Sequence, residues 1–146
     1  MNEYKRNILD AGKPLLHAGL TVETWGNLSV CDRAAGRVYI TPSGMDYDTC
    51  VEDDIVCMDL DGKILEGTRK PSIETGLHLA VYRARPDVGA VVHTHPIYST
   101  VFSCIGEGIP LCIDEAAQAL GAPVETCAYF LPGSAELAAA CAEKLS

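Results

Sequence analysis

Asn27-Leu28-Ser29-Val30-Cys31-Asp32-Arg33-Ala34-Ala35-Gly36-Arg37-Val38-Tyr39-Ile40-Thr41 is the stretch that decides the fold class. Two strand-forming runs flank Arg33-Ala34-Ala35-Gly36, a connection short enough to return the chain directly alongside itself. The stretch reads as a hairpin of strands 27–32 and 37–41, and a pair joined by a tight turn is antiparallel. Residues 54–60 read as a third strand, turned by Asp61-Gly62 into Lys63-Ile64-Leu65. Helices interleave with these strands. Tyr4, Ile8, Ala11, Leu15 and Ala18 recur at helical spacing, so the chain opens on an amphipathic helix, in which Gly12 and Pro14 predict a kink or break near Lys13. Pro71-Ser72-Ile73-Glu74 opens a second helix with Ser72 as its N-cap and Leu77, Val81 and Ala84 as one apolar face; Arg83, Arg85 and Pro86 end it. A strand carrying Val91-Val92-His93-Thr94-His95 follows, then helices at 97–104 and 114–120, a short strand at 124–128 and an Ala-rich helix at 134–145. Because consecutive strands are joined by tight turns, the reading is an α/β protein with a mixed or antiparallel sheet and helices packed on it.

Composition bounds what such a domain can be. At 146 residues it is about one domain long, and 48% hydrophobic residues suffice for a real core. No repeat, low-complexity segment or linker divides it. A net charge of −9 argues against nucleic acid or an anionic membrane as partner, because both select for Lys and Arg. Apolar runs fall far short of the ~20 residues a spanning helix needs. Met1-Asn2-Glu3-Tyr4-Lys5-Arg6 is polar, with no apolar region after it, unlike a secretory signal. The seven cysteines are scattered without any C-x-x-C pair. Cys57, Cys104, Cys112 and Cys127 lie in apolar segments and read as reduced core residues. The expectation is a soluble, cytoplasmic protein.

His93 and His95 carry the first chemistry. In a strand, residues i and i+2 share a face with Cβ atoms roughly 6.5–7 Å apart, which lets two imidazoles close on one metal ion. The pair could equally share a wet face or hydrogen-bond in a cleft. Three polar loops accompany it: Thr24-Trp25-Gly26-Asn27-Leu28-Ser29, Thr41-Pro42-Ser43-Gly44 and Lys70-Pro71-Ser72-Ile73-Glu74. Glycine turns and helix starts present backbone N–H groups to phosphate. Each loop alone is an ordinary turn; together they point to a small anionic substrate. Glu74 could be a metal ligand, a general base, or a favourable charge at a helix N-terminus. His78, between Leu77 and Leu79, reads as a packed, hydrogen-bonded side chain outside the site. His17 sits favourably at a helix C-terminus without a functional partner.

Gly26-Asn27-Leu28-Ser29, Thr41-Pro42-Ser43-Gly44, Lys70-Pro71-Ser72-Ile73-Glu74 and Val91-Val92-His93-Thr94-His95, in this order and spacing, resemble the class II aldolase/adducin family. The likeness runs from the first helix to Pro132-Gly133-Ser134-Ala135-Glu136-Leu137. It implies a three-layer α/β/α sandwich around a mostly antiparallel sheet, assembled as a homotetramer with sites at subunit contacts. It implies Zn2+, or another divalent metal, on His93 and His95, with Glu74 as acid/base carboxylate and a further possible ligand. Gly26, Asn27, Thr41, Ser43, Gly44 and Ser72 match positions that hold the phosphate of a small phosphorylated sugar. The implied enzyme is a lyase cleaving a ketose 1-phosphate, such as fuculose 1-phosphate, to dihydroxyacetone phosphate and an aldehyde.

Two departures stand out. Ile73 occupies the place of a second serine, removing one hydrogen bond to phosphate. The family's third histidine ligand belongs to an Asn-His-Gly segment beyond the last helix, so residues 1–146 are expected to form a single aldolase/adducin-type domain, C-terminally incomplete and short of that ligand. A pentulose-phosphate 4-epimerase or a sugar-phosphate dehydratase would use a similar site on the same fold. A non-catalytic, adducin-like interaction domain would keep the fold without the metal. Both histidines and Glu74 favour an enzyme, and Glu74 favours the aldolase over the epimerase, which tends to carry Asp there.

Overall fold

The computed structural model describes residues 2–145. Helix α1 spans Glu3–His17, capped by Asn2, whose Oδ1 accepts from the N–H groups of Tyr4 (2.9 Å) and Lys5 (3.3 Å). It runs unbroken through Lys13, contrary to the expected break. Pro14 lies within its last turn, and Gly12 is buried there, so closely packed that an added Cβ would stand 2.4 Å from the Tyr47 ring. Burial of this face holds the helix through its proline.

Strands β1 (Asn27–Asp32), β2 (Arg37–Ile40), β3 (Val56–Asp59), β4 (Ile64–Glu66) and β5 (Ala90–His93) form one sheet ordered β4-β3-β2-β1-β5, antiparallel at every pairing. The predicted hairpin is β1–β2. Gly36 supplies the positive φ of 64° that its turn requires, and Asp32 Oδ1 accepts from the Ala35 N–H at 3.0 Å. Helix α2 (Thr75–Ala84) crosses one sheet face and carries the chain from the β4 edge to the opposite edge, where β5 pairs with β1. Its N-cap is Glu74, not Ser72 as expected. Ser72 instead accepts the Glu74 N–H on its Oγ (3.2 Å) and thereby fixes the loop leading into the helix.

Strand alternation separates two cores. Leu28, Tyr39 and Cys57 face α1 with Ile8, Tyr47 and Ile55. Cys31, Val38, Ile40, Val56 and Met58 face α2 through Leu79 and Tyr82. Helix α5 (Ala135–Leu145) packs beside α2, completing the expected three-layer α/β/α sandwich.

Helices α3 (Ile97–Ile105) and α4 (Asp114–Leu120) contain no buried residue. Two expectations fail in this part of the chain. Cys57 is a core residue, but Cys104, Cys112 and Cys127 are exposed, because no second layer covers residues 97–133. The strand expected at 124–128 is reduced to a single bridge between Ile109 and Val124. There the two residues exchange both backbone hydrogen bonds, Ile109 N–H to the Val124 carbonyl (2.8 Å) and Val124 N–H to the Ile109 carbonyl (3.1 Å), and the pairing goes no further.

Candidate active site

The site forms where β1, β5 and the start of α2 meet. β1 and β5 pair Asn27 directly with His93, so the two residues stand side by side on the α2 face. Glu74 sits above them, only 7% exposed. One of its oxygens, Oε2, accepts from Asn27 Nδ2 at 2.8 Å and lies 3.2 Å from His93 Nδ1. An ionised carboxylate only accepts, so the His93 proton belongs on Nδ1 and its Nε2 carries a lone pair. Burial pushes the His93 pKa below its ordinary value, against the pull of Glu74, and the neighbouring His95 lowers it further.

His95 lies beyond the end of β5, so simple strand alternation does not place it. Its N–H donates to the Leu20 carbonyl at 2.9 Å, and the Trp25 ring approaches it edge-on at 5.9 Å. The outcome still matches the expectation of converging imidazoles: the two Nε2 atoms are 3.0 Å apart. Two nitrogens each bound to one tetrahedral ion at about 2.05 Å would stand about 3.3 Å apart. The donor chemistry therefore fits a divalent metal with His93 and His95 as ligands. Glu74 lies on the Nδ1 side of His93, where a carboxylate orients a metal-binding imidazole. Among the described residues, no group of three His, Cys, Asp or Glu side chains forms a cation site.

A cleft of about 400 Å³ opens beside this cluster. Gly26, Asn27, Ser43, Gly44, Ser72, Glu74 and His95 line it, together with Thr24, Trp25, Ile73 and Pro132. Two of the loops that line it, at 41–44 and 70–74, are joined backbone to backbone. Pro42 bridges Pro71, Ser43 N–H donates to the Lys70 carbonyl (2.9 Å), and Ser72 N–H donates to the Thr41 carbonyl (3.1 Å). Gly26 is required by close approach. Its φ is +78°, and a Cβ there would stand 2.7 Å from the His93 carbonyl oxygen. Thr41 does not line the cleft: it is buried, with Oγ1 accepting from the Leu28 N–H at 3.2 Å.

His78 is the packed, hydrogen-bonded side chain that the sequence suggests, but one of its partners is the cleft-lining Asn27. It is fully buried; Nε2 lies 2.5 Å from Asn27 Oδ1 and Nδ1 lies 2.6 Å from Ser29 Oγ. The signal was present. Glu74, His78 and Tyr82 follow at i, i+4 and i+8 on one helical stripe, facing Asn27 and Ser29 at i and i+2 on β1.

Residues 6–146 match the sequence profile described as "Class II Aldolase and Adducin N-terminal domain". The chain belongs to this family. Among class II aldolase-type structures, an L-fuculose 1-phosphate aldolase superposes with a TM-score of 0.95 at 39% identity, over 99% of this chain and 68% of that one. The L-fuculose-1-phosphate aldolase of Thermus thermophilus gives 0.82 at 29% identity, over 97% and 70%. In sequence, the chain is 44% identical over 110 residues to an L-ribulose-5-phosphate 4-epimerase, UlaF, of Salmonella paratyphi B. That match covers 75% of this chain and 48% of the relative, so it spans about half the relative's length.

Proposed function

We propose that the protein is a metal-dependent class II aldolase, cleaving a ketose 1-phosphate such as fuculose 1-phosphate to dihydroxyacetone phosphate and an aldehyde. The observation that carries this reading is the placement of Glu74, held by Asn27 and His93 at the wall of a cleft that Ser43, Gly44 and Ser72 also line. His93 and His95 would hold the divalent metal, zinc in our reading, which when bound supplies Lewis acidity at the substrate carbonyl. The Ser43–Gly44 and Ser72 loops and the Asn27 amide bind and orient the phosphorylated end. As the carbon–carbon bond breaks, its electron pair remains on the carbon next to the carbonyl. As a carboxylate, Glu74 accepts the hydroxyl proton as the aldehyde forms, and then returns that proton to the carbon that holds the electron pair.

A second reading is a pentulose-phosphate 4-epimerase, supported by the 44% identity to the Salmonella relative. Parallel assays with added Zn2+, one on fuculose 1-phosphate and one on a pentulose 5-phosphate, separate the two. The aldolase reading expects dihydroxyacetone phosphate, lost on chelation and reduced at least about a hundredfold by Glu74→Gln. Epimerised pentulose 5-phosphate without a cleavage product would establish the second reading. Activity unchanged by chelation and by His93→Ala would remove both. Within this proposal residues 1–146 act as one aldolase/adducin-type unit of a cytoplasmic homotetramer. Among the described residues, no helix is long and apolar enough to cross a membrane.

A further inference from the structure

Five buried or half-buried polar groups form one continuous hydrogen-bonded path from the core to the cleft. Tyr82 Oη lies 2.7 Å from Ser29 Oγ, which lies 2.6 Å from His78 Nδ1. His78 Nε2 lies 2.5 Å from Asn27 Oδ1, and Asn27 Nδ2 lies 2.8 Å from Glu74 Oε2. The donor and acceptor inventory allows this path one direction. Ionised Glu74 only accepts, so Asn27 turns its NH2 toward Glu74 and its oxygen toward His78. His78 must then donate from Nε2. Burial pushes its pKa down to about 3, so the ring is neutral and Nδ1 is an acceptor. Ser29 therefore donates to Nδ1 and accepts from the Tyr82 hydroxyl.

We propose that His78 is a positioning residue: held with its proton on Nε2 by Ser29 and Tyr82, it locks the Asn27 amide with its NH2 edge toward Glu74 and the cleft. The proposal rests on the phosphorylated-substrate reading above, since an amide presenting donors suits an anion. A flipped Asn27 would set its oxygen against the Glu74 carboxylate and offer the cleft an acceptor in place of a donor. Nδ2 carries two protons; Glu74 takes one and the other is free for a substrate oxygen. Neither Ser29 nor Tyr82 needs to reach the substrate, because both act through the imidazole.

Two measurements test this. Nitrogen-15 NMR of the histidine-labelled chain at pH 7 should show His78 protonated on Nε2 and bare on Nδ1. A ring protonated on Nδ1 would overturn the assignment. Calorimetric binding of dihydroxyacetone phosphate should then separate variants. In His78→Gln an amide N–H can replace the Nε2 donor, so affinity should stay within about threefold of the parent. His78→Leu leaves Asn27 Oδ1 unpaired and should weaken binding about 10- to 100-fold. Should the leucine variant fail to fold, Ser29→Ala serves instead, with weaker binding and partial conversion to the Nδ1-protonated ring. Equal losses in the glutamine variant and in the variants that break the path would overturn the positioning role. If the parent chain takes up no dihydroxyacetone phosphate, the functional reading fails, and the histidine tautomer alone decides whether His78 sets the Asn27 amide.

Discussion

At the scale of single residues, the site is a set of donors and acceptors whose directions are forced by Glu74. Ile73 brings an apolar side chain to the cleft lining between Ser72 and Glu74, where it is 56% exposed. Ile73→Ser restores a hydroxyl there, and one added hydrogen bond to a charged group should tighten dihydroxyacetone phosphate binding about tenfold, read by calorimetry. His78 also links the site to stability. Its pKa falls from an ordinary 6.5 to about 3 in the folded chain. Below pH 6.5 the unfolded state therefore binds a proton that the folded state refuses, so stability is full above that pH and declines as pH falls toward 3. Burial gives His93 the same sign. Thermal melts from about pH 7 to 4 should show falling midpoints, with His78 contributing up to about 1.4 kcal/mol per pH unit. In His78→Gln that share of the slope should vanish, whatever the variant's absolute stability. A slope unchanged by the substitution would contradict the buried neutral imidazole.

At the scale of elements, legibility followed periodicity. Residues 27–32 and 114–120 were readable to the residue, because strand alternation or helix patterning there is bounded by strong turn chemistry. The strand pairing that matters most, β1 against β5, has a sequence separation too large for any local pattern to announce, although it sets Asn27 beside His93. Ser72 looked like a cap by residue type, yet loop pairing across Pro42 and Pro71 starts the helix later. His78 between leucines reads as a packed, hydrogen-bonded side chain away from the site; only the stripe from Glu74 to Tyr82 shows that α2 turns a polar seam toward β1. Helix α1 teaches the converse. Its Gly12 reads as a weakness, but the position is a contact with Tyr47, so Gly12→Val should destabilise the chain by about 1–3 kcal/mol in urea unfolding. An unchanged midpoint would mean that the Tyr47 ring moves freely aside.

At the scale of the whole molecule, polarity is unevenly distributed. Both sheet faces are covered, whereas the chain after β5 leaves Ile97, Tyr98, Tyr129 and Leu131 each more than two-thirds exposed. Scattered apolar residues on a surface need no explanation, but this many large ones in one stretch of chain favour self-association. Light scattering behind size exclusion should give a mass above 15.6 kDa, and Ile97→Glu with Tyr98→Glu should return it to the monomer. A parent chain that elutes as a monomer at high concentration would refute the assembly. The stitched loops at Pro42 and Pro71 bear on how such a molecule diversifies. Because backbone hydrogen bonds join the two loops, exchanging the Ser43 or Ile73 side chain leaves those links in place. Natural drift or directed evolution can thus reshape the cleft lining at these two positions while the Glu74 carboxylate stays where it is.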